Sequence, residues 1–136
     1  MKLNNWTKAL LTGGFFVAAI FGFLIKLPSV FRHYDKEMHA LFYFLAAAFL
    51  NILFARRKIT RHVAIFIFLA LFGVAIEYAQ EYSNKLLHKK IHGLYDIEDI
   101  QSNFKGLILF SILWMAYNII VTGYSKLNRQ GEKLKE

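Results

Sequence analysis

The sequence predicts an all-α integral membrane protein, with four transmembrane helices in an antiparallel bundle and both termini in the cytoplasm. Three observations lead there. Of 136 residues, 57% are hydrophobic and the mean hydropathy is +0.37, too apolar for an ordinary soluble domain of this size. Four apolar stretches stand apart at Ala9–Leu27, His39–Phe54, His62–Ala79 and Leu107–Tyr124. Basic residues are shared unevenly among the segments that separate them.

The first stretch follows Lys2 and Lys8 as a signal peptide would, but its apolar run exceeds the usual ~7 to 15 residues and no small-residue cleavage site follows, so it is expected to stay in place. Pro28 stops it. The second and third stretches are joined by "ARRKITR", short enough only for neighbouring antiparallel helices. The third and fourth are separated by "EYSNKLLHKKIHGLYDIEDIQSNFK", which is long for a turn and holds a mildly amphipathic piece around Leu86, Leu87 and Ile91 that fits a membrane interface. Helices of roughly 16 to 19 residues cover about 24 to 29 Å, slightly less than a hydrocarbon core of about 30 Å, so polar flanks must extend them. Residues 1–126 read as one four-helix domain, and 127–136 as a polar cytoplasmic tail.

Four spans put both termini on one side. That side collects Lys2, Lys8, Arg56, Arg57, Lys58, Arg61, Lys126, Arg129, Lys133 and Lys135, ten of the 17 basic residues, which assigns it to the cytoplasm. Seven of nine acids fall opposite, at Asp35, Glu37, Glu77, Glu81, Asp96, Glu98 and Asp99. The charge of +8 then reads as topology and attraction to anionic lipid rather than as nucleic-acid binding.

On the acidic side, three polar pairs fall at the ends of three helices: Asp35 with His39, Glu77 with Gln80, and Asp99 with Asn103. Each has i,i+3 or i,i+4 spacing, which puts both members on one helix face, and bundles build their sites from inward-facing groups of this kind. Ionisable groups at a membrane boundary are costly unless they face protein or water. His39 with Asp35 has the form of a carboxylate-oriented imidazole, suited to general-base work, or of a histidine that fixes packing. Glu77 follows the apolar run "FGVAI", where a carboxylate demands a partner. Gln80 and Asn103 can orient a carboxylate or a sugar hydroxyl, or hold helices together. Asp99 can serve the site or merely cap the fourth helix. Tyr34, Phe42, Tyr43, Tyr78, Tyr82 and Tyr95 read first as interfacial anchors.

"DKEMH" before one helix, "EYAQ" ending another and "DIQSNFKG" opening the last resemble the VanZ-like family, whose pattern runs D-K-x-x-H, E-x-x-Q and D-x-x-x-N-x-x-G. The resemblance covers nearly the whole chain in order and spacing. It implies a small bacterial plasma-membrane protein of the cell envelope, in a family with members linked to reduced susceptibility to lipoglycopeptide antibiotics. Two positions depart from the pattern. Gly93 stands where the family often has arginine, leaving His92, Lys89 or Lys90 as cations, and Phe110 replaces a later glycine.

Cysteine is absent, which excludes disulfides and thiolate chemistry. No H-E-x-x-H, G-x-S-x-G or glycine-rich phosphate loop occurs. His39, Glu77 and Asp99, with His92, are of the types that suit zinc or manganese, but the spacing is not diagnostic and assigns no metal. The expected site therefore comprises His39, Glu77 and Asp35 as an acid/base cluster, with Lys36, Gln80, Asp99 and Asn103 binding substrate. The expected partners are membrane lipids and an amphiphile at the outer leaflet: a lipid-linked glycan, a lipid headgroup or a lipoglycopeptide-type antibiotic. A non-catalytic binder or scaffold is the rival. Proton-coupled transport ranks last, because only Asn51 and Asn118 offer polarity deep in the spans.

Overall fold

A computed structural model describes residues 3–24, 34–88 and 96–133, with side chains as far as 130. The described residues are helical nearly throughout, without strands. Helix α1 spans Asn5–Leu24, α2 Asp35–Leu50, α3 Ile59–Leu86 and α4 Ile97–Lys133, and a π-helical turn, Asn51–Ala55, continues α2. Counting that turn with α2, all four are long and apolar enough to cross a membrane. This is the build of a multi-pass membrane protein.

The helices outrun the apolar stretches at their polar ends. Helix α3 continues through Leu86, so Glu77 and Gln80, expected at its end, lie two to three turns inside it. Helix α4 begins ten residues before Leu107 and continues without a break at Lys126 through Lys133. Backbone hydrogen bonding is satisfied within a helix whatever the side chains are, so charged residues continue a helix that hydrophobicity alone would end. Leu86 closes α3 and Leu87 lies in the following turn, both exposed. Pro28, Lys89, Lys90, Ile91, His92, Gly93 and Tyr95 lie outside the described residues.

Local chemistry sets the helix starts. Asn4 Oδ1 accepts the Thr7 N–H at 2.7 Å, and Asp96 Oδ1 accepts the Glu98 N–H at 2.8 Å, each supplying an N-cap. Asp35 and Glu37 occupy the first turn of α2, where negative charge suits the helix dipole. Between the π turn and α3 the backbone reverses through two left-handed arginines, Arg56 at φ 44° and Arg57 at φ 64°. Each costs about 1 to 2 kcal/mol. Arg57 offsets part of that cost by donating to Asn118 Oδ1 at 3.2 Å and Thr122 Oγ1 at 3.1 Å.

The core is built on α2, where Tyr43, Ala46, Ala47 and Leu50 are buried with Leu69 of α3 and Leu107 of α4. Helix α1 joins through phenylalanines: Phe15 stacks on Phe42 and Phe49, and Phe16 meets Phe68 and Phe72 edge-on. Elsewhere α1 and α4 turn large apolar side chains outward, among them Trp6, Leu10, Ile119 and Ile120, as a lipid environment permits.

Helices α2 and α4 make the most extensive contact, and Gly106 makes it close. A Cβ there would run into the Ala40 carbonyl oxygen and lie 3.0 Å from the Phe44 amide nitrogen. Both are backbone atoms and cannot rotate away. Small residues allow this approach in membranes, where packing rather than water exclusion drives association. Phe110, which stands in place of a glycine of the pattern, packs edge-on against Phe44 one turn further along. Gly106→Ala should therefore destabilise the bundle by about 1 to 3 kcal/mol, read as a lower unfolding midpoint in detergent. Gly123→Ala on the same helix meets open space and should cost nothing; equal losses from both would contradict the close contact.

Candidate functional site

The close α2–α4 contact brings the first turns of these helices face to face. Lys36 of α2 and Glu98 of α4 form an ion pair across them, both about half exposed. One residue away on each helix, Asp35 and Asp99 turn towards His39. Ligating atoms of Asp35, His39 and Asp99 all lie within 4.8 Å of one another.

His39 is buried and its Nδ1 lies 3.0 Å from Asn103 Oδ1. Because an amide oxygen only accepts, Nδ1 carries a proton in this arrangement, and Nε2 is turned away from Asn103. Asp35 Oδ1 stands 3.9 Å from that Nε2, beyond hydrogen-bond reach. Asn103 thus holds the imidazole, a part the sequence reading gave to Asp35. The Phe23 ring of α1 covers the histidine at 5.1 Å between centroids.

Glu77 is fully buried. Its Oε2 accepts the Asp96 backbone N–H at 3.3 Å, while Oε1 has no hydrogen-bond partner among the described residues. It lies within electrostatic range of His39, Asp96 and Asp99. Asp96, which the sequence reading left out, therefore does two jobs, because its side chain caps α4 and its amide holds Glu77. With the cap supplied by Asp96, Asp99 is free of that duty. Asp99 is only 9% exposed, and its Oδ1 is likewise without a partner among the described residues.

The other expected residues divide. Gln80 Nε2 donates to the Phe23 carbonyl at 2.9 Å, tying α3 to α1. Lys36 is committed to Glu98. Tyr34, Tyr78 and Tyr82 are exposed, as anchors would be, but Tyr43 is fully buried with its hydroxyl unpartnered among the described residues. Tyr43 reaches the bundle interior because Gly73 of α3 leaves it room: a Cβ at Gly73 would lie 3.0 Å from the Tyr43 hydroxyl and 2.9 Å from Asn103 Nδ2. An isolated glycine in an apolar run was the available signal for this approach.

A second polar cluster lies towards the π turn. The His62 ring stacks on Trp114 at 4.2 Å and 5°, with Nδ1 2.8 Å from Asn51 Oδ1 and Nε2 3.1 Å from Ser111 Oγ. Asn51 Nδ2 in turn donates to the Ala47 carbonyl at 2.8 Å, and the single Ser111 hydroxyl proton is shared between His62 Nε2 and the Leu107 carbonyl, 2.8 Å away. Sequence reading met His62 and Asn51 separately; their pairing depends on the π turn, which has no hydropathy signature.

Beside α2 and α4 an open groove of about 280 Å³ is lined by Ala40, Leu41, Phe44, Gly106, Leu109 and Lys105. It is apolar apart from the lysine. No family model, curated protein or solved structure matches the chain.

Proposed function

We propose that the chain is a bacterial plasma-membrane protein of the VanZ-like type, an antiparallel four-helix bundle with cytoplasmic termini that binds or modifies an amphiphile at the outer leaflet. The observation that carries this reading is the gathering of Asp35, His39, Asp99 and Asn103 between α2 and α4, with Glu77 of α3 in electrostatic range and two carboxylate oxygens buried and unpartnered among the described residues. Such oxygens cost roughly 1 to 3 kcal/mol each. A cluster serving only to join helices would satisfy them.

Alternating helix directions are supported by the order of contacts. Along α2 and α4 the numbers rise together, from His39 with Asn103 to Arg57 with Asn118. Along α3 they run the other way: His62 meets Asn51 and Ser111, whereas Glu77 meets Asp96. Lys8 donates to the Leu53 carbonyl and Arg61 to that of Phe54, which gathers basic residues at the end remote from the acids. The positive-inside rule makes that end cytoplasmic.

For the chemistry, His39 Nε2 is the base, with Nδ1 held by Asn103. Glu77 exchanges a proton at Oε1, and Asp35, half exposed, faces the entrance. The neighbouring groove and Lys105 suit an acyl chain below an anionic headgroup. The scaffold alternative draws on the Gln80 bond to Phe23, which is purely structural.

Topology is open to direct measurement because the chain lacks cysteine. In spheroplasts, a membrane-impermeant thiol reagent should modify His88→Cys but leave Lys58→Cys untouched; the reverse pattern would turn the site to the cytoplasm. Function is tested by Glu77→Gln and His39→Ala, scored for membrane level and for lipoglycopeptide tolerance conferred on a sensitive host. Both should accumulate normally yet lose at least tenfold of the tolerance the parent confers, a threshold below the ~100- to 10,000-fold that general acid–base catalysis contributes. Full retention by both would remove the acid/base assignment, and failure of both to accumulate would favour the scaffold.

A further inference from the structure

The cluster contains too many acceptors for the donors around it. Asp99 lies within electrostatic range of His39, Asp35, Asp96 and Lys36, and Glu77 within range of His39, Asp96 and Asp99, while Lys36 is itself engaged by Glu98. His39 Nε2 stands 3.9 Å from Asp35 Oδ1, beyond hydrogen-bond reach, so neither atom satisfies the other. Independently of that arrangement, Asp99 Oδ1 and Glu77 Oε1 are buried and without hydrogen-bond partners among the described residues. A hydroxyl or water donor would relieve one such oxygen; a cation would engage Asp35, His39 and Asp99 together and offset the charge of Glu77 beside them.

From this we propose that Asp35, His39 and Asp99 form a binding site for a divalent cation of the zinc or manganese class. One imidazole with two carboxylates is a ligand set for either ion, and the two carboxylate charges balance the ion's charge. Asn103 completes the arrangement by fixing the tautomer that leaves Nε2 free, as the hydrogen-bonded partners of metal-ligating histidines do. Asp35 is half exposed and opens the site to an entering ion, while Asp99 and His39 form its buried wall. Ligating atoms up to 4.8 Å apart are wider than the ~3.4 Å that metal–ligand bonds of about 2.0 to 2.1 Å give in a tetrahedron. Closure therefore requires a side-chain rotation, and Asp35 at the rim is the residue free to make it. Three protein ligands leave a coordination position open to water or to an oxygen of a bound molecule, as in catalytic rather than purely structural zinc sites. The site does not depend on the amphiphile reading.

The test uses full-length protein in nanodiscs of uncharged lipid, stripped with a chelator and titrated with Zn²⁺ against a chromophoric competitor. Co²⁺ absorbance serves as a second readout. The expected result is about one equivalent bound per chain, visible Co²⁺ ligand-field bands and a zinc-dependent rise in Tm. Asp35→Asn, Asp99→Asn and His39→Ala should each weaken binding at least tenfold, the loss that even a ligand's outer partner can cause. Glu37→Gln, an exposed neighbour on the same helix, should leave binding unchanged. Should a buried variant fail to fold, Asp35→Asn at the half-exposed rim still decides. The proposal is overturned by the absence of saturable binding in the parent, by unchanged affinity in a folded Asp35→Asn or Asp99→Asn variant, or by an equal loss in Glu37→Gln. None of these readouts involves antibiotic tolerance, so the ion site is tested apart from amphiphile binding; an ion on Nε2 takes the place of the base role of His39, since one lone pair cannot both hold an ion and accept a proton.

Discussion

The contact of Gly106 with the backbone of α2 at Ala40 governs the geometry of the polar end of this bundle. With no side chain between them, α2 and α4 lie close enough for Asn103, one turn before Gly106, to reach His39, one residue before Ala40. The same register sets Lys36 against Glu98 and brings Asp99 up to Asp35. A half-exposed ion pair adds little energy of its own. What it adds here is rotational alignment, since α4 turned by one residue would carry Asp99 and Asn103 away together, about 100° around the helix. Gly73 plays the corresponding part on α3 by admitting Tyr43 and Asn103 side by side.

The second constraint is electrostatic. Glu77 and Asp99 are removed from water, yet each keeps an oxygen that the described residues leave unbonded. Burying polar groups without partners opposes folding, so the α2–α4 packing and the phenylalanine layer from α1 must stabilise an end of the molecule that is otherwise unfavourable. Residues that break the rule of satisfied burial are expected where a protein does something other than fold. Asp96 limits the cost through its amide bond to Glu77 and its cap on α4.

Helix number and type were legible because four apolar runs separated by charge have few other folds available to them. Helix ends were less so: Glu98, Lys105 and Lys126 lie inside α4, since hydropathy marks where lipid can be met and not where hydrogen bonding stops. Within the site, i,i+4 spacing placed Asp35 with His39 and Asp99 with Asn103 on common faces. It could not say which member would bond across the gap, because that depends on helix rotation set by Gly106. Asp96 escaped notice because its contribution to Glu77 comes from the backbone, which every residue shares. Tyr43 was read as an anchor because an aromatic near a span's end carries no mark of which way it faces.

The two polar clusters argue from their contrast. His62 has a polar partner at each ring nitrogen and a tryptophan face against its ring, and Asn51 is itself bonded to the Ala47 carbonyl. It lacks nothing that a folded bundle would need, and its evident work is to pin the π turn of α2 to α3 and α4. The cluster around His39 is built from similar residue types in the same bundle, yet among the described residues it leaves Glu77 Oε1 and Asp99 Oδ1 without donors and His39 Nε2 3.9 Å from Asp35 Oδ1. The sequence therefore has the means to satisfy a buried histidine between these helices and does so at His62. At His39 the incomplete satisfaction lies where α2 and α4 begin, beside a half-exposed aspartate through which an ion or a headgroup can enter, so the unfilled valences are better explained by a ligand than by imperfect packing.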